Sequence, residues 1–513
     1  MIVGRKIGWF FGHHFSVTNL LGLSSMSTKN VVDDGKLGLF ALVAMCIGSM
    51  IGSGLFALPQ NVASNTGVFG LLIAWGITFA GMICLAKVFQ NLSMDRPDLD
   101  AGVYAYAKEG LGDYMGFNSA WGYWMSAWIG NLAYIIIFCA SLSVFFPAFG
   151  DGTSFASLIL GSCVIWLVTL LCILGVKSAS AINTVATIAK IIPIVIFVAA
   201  MIYFFDGKIF TADIWQTSSL GCSVTKQIKN MMLITVWVFI GIEGASVFSS
   251  RARKRSDIGK ATLIGFATVF LVLFAVSTLP FGILDRQELA ILKEPSTSEL
   301  MRIMTGNWGE ILMSLGLMVS VLGAFLSWVL IAAEVPYIAG TRDGLFPKVF
   351  TTTNKAGSPV GALIITGVCQ QLYLILAYFY KSGYLATILL ATSMILLPYL
   401  FSAVYAVIVS FKKRKESCEI IGNDNKRPCN CGKLVTAGIA TIYGIWLVYA
   451  AGIKYLLLSS ILYMLGGIVY IVNKKQRGEK IFNTVVDEVL FWCFVVLGVG
   501  CMLKEIYGYF AVI

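Results

Sequence analysis

Residues 47–54 read IGSMIGSG, three glycines and two serines inside a stretch that is otherwise apolar enough to cross a membrane. A helix that unwinds at this depth frees backbone N–H and C=O groups, and lipid cannot satisfy them. The freed groups need a ligand or a protein neighbour, so the stretch predicts a broken helix at a binding site. The alternative is a helix whose Gly48 and Gly52 permit close packing against another helix.

The composition around this stretch is that of an all-α integral membrane protein. Of 513 residues, 58% are hydrophobic and 12% are charged, and the mean hydropathy is +0.84. This charged fraction is about half of that in soluble proteins.

Thirteen apolar runs are long enough to cross a bilayer as helices. In chain order, these predicted spans 1 to 13 lie near 37–58, 68–90, 115–146, 155–175, 182–205, 230–250, 260–284, 309–339, 360–380, 384–411, 434–452, 455–473 and 485–503. We therefore expect 12 to 13 transmembrane helices.

The distribution of Lys and Arg predicts the orientation. Counted from Met26, 24 basic residues fall in the segments on the side of the N-terminus and 9 on the opposite side. Cytoplasmic loops carry the basic excess, so we expect a cytoplasmic N-terminus. The net charge of +11 then reflects topology rather than nucleic-acid binding. Residues 1–35 are expected to be a cytoplasmic extension, and Met26 is our predicted initiator.

A second interruption, FIGIEGAS at 239–246, lies in span 6, five helices after the first. Because five is odd, the second set of five helices is inverted relative to the first. Paired interruptions of this kind mark the binding site of transporters built from inverted repeats. We expect a core at 36–411 with halves near 36–205 and 230–411, a cytoplasmic loop at 412–433 and peripheral helices at 434–513.

Four motifs resemble the amino acid/polyamine/organocation superfamily, and most of all the bacterial basic amino acid antiporters of the arginine/ornithine type. They are GKLGLFALVAMCIGSMIGSGLFALPQN, PDLDAGVYAYAKEGLGDYMGFNSAWGYWMSAWIGN, VWVFIGIEGASVFSSRARK and RDGLFPKVF. The resemblance covers about residues 36–505. It implies a LeuT-type five-plus-five inverted repeat with broken helices 1 and 6, and alternating access without ATP.

The resemblance also implies a substrate site. The carboxylate of the substrate is matched to the break in span 1, at Ser49, Ile51, Gly52, Ser53 and Gly54. The α-amino group is matched to the Ile240 carbonyl in span 6. The remaining matches lie in spans 3, 6, 8 and 10: Tyr123, Ser126, Ala127, Asn131, Trp237, Glu243, Trp328 and the gating residue Tyr399. Ser126 and Ala127 replace alanine and cysteine of arginine/agmatine exchangers, which bears on side-chain specificity.

The residues themselves leave alternatives open. Tyr123, Ala127, Gly130 and Tyr134 share one face of a helix, with Asn131 at its margin. This face suits a cavity, but it also suits hydrogen bonding between helices. Trp328 suits cation–π contact with a substrate, packing or interfacial anchoring.

Three charges lie well inside spans, where charge is costly and usually functional: Lys190, Glu243 and Glu334. We predict that all three act in gating or coupling. Lys190 resembles the lysine that replaces bound sodium in sodium-independent relatives, so we expect no sodium requirement. Alternatives are a structural Lys190–Glu334 pair and a structural Glu243 capped by backbone N–H groups.

These observations favour a secondary transporter of the bacterial inner membrane that exchanges cationic amino acids, with arginine for ornithine as the expected pair. Arginine/agmatine exchange, lysine/diamine exchange, proton-coupled uptake and an amino acid sensor are the alternatives. An enzyme is disfavoured because the only histidines are His13 and His14 and no H-E-x-x-H motif exists. We expect lipid and small-molecule partners, no nucleic acid, no cofactor and no metal; a homodimer is one assembly that this family allows.

Overall fold

A computed structural model describes residues 38–99, 102–175, 179–212, 214, 220–243, 253–420 and 431–510. Within these residues the regular structure is helical, and each predicted span has a corresponding helix. Ten of these helices are long and apolar enough to cross a membrane, or eleven when the broken first span is counted. The first 35 residues, and with them the proposed start at Met26, lie outside the described part.

The spans have the following bounds. Spans 1 to 6 are Leu39–Met50 with Leu58–Ala63, Val68–Asp95, Asp113–Leu142, Phe155–Ile173, Ala179–Phe204 and Val224–Trp237. Spans 7 to 13 are Arg255–Thr278, Asn307–Thr341, Val360–Tyr380, Tyr384–Ile420, Cys431–Ala450, Gly452–Arg477 and Val485–Phe510. Shorter helices are Val103–Leu111, Gly207–Ala212, Arg286–Ala290 and Ser296–Thr305, and 3₁₀ turns occupy Gly54–Ala57, Pro147–Phe149, Leu279–Gly282 and Lys348–Thr351.

Local sequence signals set several helix ends. Ser154 caps the N-terminus of span 4, where its side chain accepts a hydrogen bond from the Ser157 N–H. Ser223 caps span 6 in the same way. Such capping satisfies N–H groups that the first turn of a helix leaves free. Gly112 has a φ of 95° and turns the chain between the helix 103–111 and span 3.

Span 3 is the centre of the molecule. In its most apolar window 94% of the residues are buried, against 28% in span 4 and 22% in span 13. Span 3 packs against spans 8 and 10, which belong to the second half of the core. The broken span 1 packs against spans 5 and 7. This is a LeuT-type arrangement, in which breaks in the first and sixth helices face a central third helix.

Candidate functional site

The break in span 1 covers the quoted glycine- and serine-rich stretch. Its first helix ends at Met50, the chain is irregular at residues 51–53, and a 3₁₀ turn restarts at Gly54 with a bend of 41° between the halves. A Cβ at Gly52 would lie 2.5 Å from the Tyr134 hydroxyl, so only glycine fits there. The glycines therefore permit close approach to span 3 as well as the break.

The break in span 6 meets the break in span 1. The span 6 helix ends at Trp237 and turns through residues 238–243, with Gly241 at a φ of 104°. The Ser49 hydroxyl donates a hydrogen bond of 3.0 Å to the Gly241 carbonyl. A Cβ at Gly241 would stand 2.8 Å from the Ser49 carbonyl oxygen. The positive φ and this backbone crossing both require glycine.

A small cavity lies between the two breaks and span 3. Its space amounts to about 20 Å³, room for about one water. Nine of the predicted site residues line it: Gly52, Ser53, Gly54, Ser126, Ala127, Asn131, Trp237, Ile240 and Trp328. The lining also includes four residues that the sequence did not single out as ligand contacts: Met50, Gly130, Tyr134 and Val238. A ligand larger than water therefore requires the two tryptophans or the breaks to move.

Asn131 is a residue of this cavity whose side-chain amide lacks hydrogen bonds to the described protein. Asn131 is fully buried, and neither its Oδ1 nor its Nδ2 has a hydrogen-bond partner among the described residues. A buried polar group without a partner is costly, and in native proteins it usually marks a ligand or water site. Asn131 is thus equipped to both donate to and accept from a bound molecule.

Glu243 lies beside the cavity, held by two tyrosines. The Tyr123 hydroxyl donates to its Oε1 at 2.7 Å, and the Tyr399 hydroxyl donates to its Oε2 at 2.7 Å. Both tyrosines were predicted site residues, yet neither lines the cavity. The cluster joins spans 3, 6 and 10 around one buried carboxylate. The two hydroxyl donors fix the orientation of this carboxyl group between the three spans.

Lys190 binds the break in span 1 directly. Its Nζ donates to the carbonyl oxygens of Gly48 at 3.0 Å and of Ile51 at 2.5 Å, and the residue is 2% exposed. These carbonyls are the groups that the broken helix leaves free. The predicted alternative of a Lys190–Glu334 ion pair is wrong, because the amine is occupied by the break and the Glu334 side chain is exposed. Glu334 is therefore not brought to this site.

Tyr384, at the start of span 10, is a buried polar contact of the site that sequence reasoning missed. Its hydroxyl lies 3.0 Å from Ser53 Oγ and 3.2 Å from Trp237 Nε1. A tyrosine at the end of an apolar run reads as an interfacial anchor. No signal in the sequence distinguishes it from such an anchor.

Comparison with known proteins identifies the family of this chain. A family model described as amino acid permease matches residues 37–466. The chain belongs to the amino acid permease family. The resemblance drawn from the four motifs is thereby confirmed, and the protein is a multi-pass membrane transporter rather than an enzyme.

Several relatives within this permease family are similar over almost their whole length. An arginine/ornithine antiporter of Pseudomonas aeruginosa is 47% identical, with 90% of this chain and 95% of that protein aligned. An arginine/agmatine antiporter of Chlamydia felis is 42% identical, over 87% and 92% of the two chains. An L-lysine transport protein of Corynebacterium glutamicum is 39% identical, over 86% and 90%.

Proposed function

We propose that this permease exchanges cationic amino acids across the bacterial inner membrane, with arginine entering for ornithine as the best supported pair. The observation that carries the proposal is the unpartnered Asn131 amide in a small cavity between two broken helices. Such a cavity suits a small molecule that is rich in hydrogen-bonding groups. The named activities of the relatives support a substrate with an α-amino acid head group and a positive side chain.

The two breaks offer complementary groups for that head group. Ser53 and Gly54 open the outgoing half of span 1, where free N–H groups and the helix dipole favour a carboxylate. The Ile240 carbonyl, in the turn after span 6, is our proposed acceptor for the α-amino group. Trp237 and Trp328 would then flank the cationic side chain, which suits cation–π contact.

Glu243 is our proposed source of charge selectivity. It is the carboxylate that the Tyr123 and Tyr399 hydroxyls hold next to the cavity. A negative charge in a low-dielectric site attracts a cationic side chain more strongly than it would in water. Lys190 is our proposed substitute for a coupling cation, since its amine occupies carbonyls of the break. We therefore expect exchange without sodium.

We propose that exchange proceeds by alternating access. The cavity has space of about 20 Å³, which is too small for arginine, so its lining must move before arginine can bind. Arginine and ornithine each carry a net charge of +1 near neutral pH, and their exchange is electroneutral. The orientation we propose has a cytoplasmic N-terminus, on the basis of the Lys and Arg distribution.

The test is uptake of labelled arginine into proteoliposomes that contain the purified protein. Vesicles are preloaded with ornithine, agmatine, lysine or buffer alone, in sodium and in choline media. We expect uptake with internal ornithine, little uptake into buffer-loaded vesicles and no effect of sodium. A preference for agmatine or lysine would change the substrate pair, and equal uptake into empty vesicles would contradict exchange.

A further inference from the structure

Tyr384 connects the two broken helices from outside the cavity. It is 2% exposed, and it does not line the cavity itself. Its hydroxyl oxygen lies within hydrogen-bond distance of Ser53 Oγ in the span 1 break and of Trp237 Nε1 at the end of span 6. Both of these partners do line the cavity. One hydroxyl on span 10 therefore fixes two groups of the binding site.

The chemistry of the three groups sets the direction of the hydrogen bonds. The indole Nε1–H of Trp237 can only donate, so the Tyr384 oxygen accepts from it. Either hydroxyl can donate in the Ser53–Tyr384 pair. A carboxylate beside Ser53 can only accept, so both hydroxyl protons find acceptors when Tyr384 donates to Ser53 Oγ and Ser53 donates to the carboxylate. Ser53 thus accepts through its oxygen and keeps its own proton for another partner.

We propose that Tyr384 is a positioning residue that aims the Ser53 hydroxyl proton at the carboxylate of the substrate. This inference rests on the proposed function, in which the carboxylate binds at Ser53 and Gly54. With Tyr384 in place, Ser53 donates a charge-assisted hydrogen bond to the carboxylate. Without the Tyr384 hydroxyl, Ser53 is free to rotate and donate to a neighbouring backbone carbonyl instead.

The same hydroxyl restrains Trp237. The Trp237 ring passes close to Gly130 of span 3, where a Cβ would lie 2.9 Å from it. A tryptophan held at Nε1 presents a fixed wall to the cavity. Because the close approach of Gly130 also holds this ring, we expect Tyr384→Phe to leave the aromatic wall in place and to change the carboxylate subsite alone.

The test measures how Tyr384→Phe changes the binding of ligands with and without a carboxylate. Dissociation constants are measured by titration calorimetry on the purified full chain, for L-arginine, for agmatine and for L-argininamide. Agmatine is arginine without its carboxylate, and in argininamide a neutral amide replaces it. We expect the affinity for arginine to fall about tenfold, the effect of one lost hydrogen bond to a charged group. The affinities for the other two ligands should stay within about twofold of wild type.

Tyr463→Phe is the matched control. Tyr463 is also buried, and its hydroxyl donates to the Met394 carbonyl of span 10 at 2.9 Å, without lining the cavity. Tyr463 lies in span 12, and Tyr463→Phe removes the same chemical group together with one hydrogen bond to span 10. We expect arginine binding by Tyr463→Phe to match wild type. A fall in arginine affinity as large as that of Tyr384→Phe would assign the effect to general packing.

Ser53→Ala completes a double-mutant cycle. If Tyr384 acts through Ser53, Tyr384→Phe should change arginine affinity by less than about twofold in the Ser53→Ala background. Independent, additive losses would overturn the inference, as would equal losses for all three ligands. Dissociation constants are measured on the folded protein, so their ratio between a variant and wild type does not depend on how much of the variant folds. Absence of arginine binding by the wild-type chain would instead contradict the proposed function.

Discussion

At the scale of single residues, Glu243 is a buried carboxyl group held by two hydroxyl donors. It is buried next to the cavity, and two tyrosine hydroxyls at 2.7 Å fill one acceptor position on each of its oxygens. A buried carboxylate is stable only when such partners compensate for its lost hydration. The tyrosines come from spans 3 and 10, so the charge is held where the two halves of the core meet.

Glu243→Gln should lower transport of arginine at least about tenfold, because it removes the charge that attracts a cation while it keeps the side-chain size. The measurement is the initial rate of exchange in proteoliposomes across pH 5.5–8. Glu334→Gln is the matched control, since it removes an exposed carboxylate that lies away from the cavity. Wild-type rates and an unchanged pH profile in Glu243→Gln would exclude Glu243 from the mechanism.

At the scale of elements, the two breaks could be predicted from the sequence because the backbone geometry there favours glycine. Gly52 and Gly241 each stand where a Cβ would collide with another chain segment. The nine predicted cavity residues followed from the family resemblance, which covers spans 3 and 8 as well as the two breaks. Lys190 has carbonyl oxygens as its partners, and backbone groups leave no signature in a sequence. Glu334 is exposed and does not line the cavity, and its role in gating or coupling stays a prediction.

The two short helices Arg286–Ala290 and Ser296–Thr305 form a lid over the outgoing half of span 1. The Thr297 hydroxyl donates to the Phe56 carbonyl at 3.1 Å, and the Gln60 N–H donates to Ser296 Oγ at 3.2 Å. The Arg286 guanidinium donates to the Ala63 carbonyl at 3.0 Å. These contacts satisfy backbone groups of a half-helix that is too short to satisfy its own. The lid therefore moves together with this half of span 1, or it separates from it and loses these three hydrogen bonds.

Glu294 lies between these two helices, and we expect it to make the stability of their packing depend on pH. Burial and the nearby Asp151 carboxylate raise the pKa of Glu294 to about 7, while a hydrogen bond with Asn61 of span 1 acts in the opposite direction. The closed lid thus binds a proton more tightly than an opened or unfolded one does. Its stabilisation is fully present below the ordinary carboxyl pKa of about 4.5 and is lost as the pH rises through 7.

The melting temperature of the purified protein should accordingly decrease by a few degrees between pH 5 and pH 8, and Glu294→Gln should flatten that decrease. Glutamine stays neutral at both pH values, so the variant should be more stable than wild type at pH 8. Glu299→Gln is the control, because Glu299 lies on the same lid and pairs with Arg302. An unchanged slope in Glu294→Gln would show that another group titrates.

At the scale of the whole molecule, the fold brings the two halves of the core to one cavity. Span 3 of the first half packs against spans 8 and 10 of the second, and the breaks of spans 1 and 6 touch through Ser49 and Gly241. Each half alone supplies part of the cavity lining, and our proposed carboxylate subsite lies in span 1 while our proposed amine acceptor lies in span 6. Opening therefore requires the halves to move against each other, as exchange by alternating access demands.

The most direct test of this account is an experimental structure of the protein with arginine bound. We predict the α-carboxylate within hydrogen-bond distance of Ser53 and the Gly54 N–H, the α-amino group at the Ile240 carbonyl, and Asn131 hydrogen-bonded to the ligand. The guanidinium should lie between Trp237 and Trp328. Arginine bound elsewhere, with the Asn131 amide still unpartnered, would contradict the claim that the two breaks form the transport site.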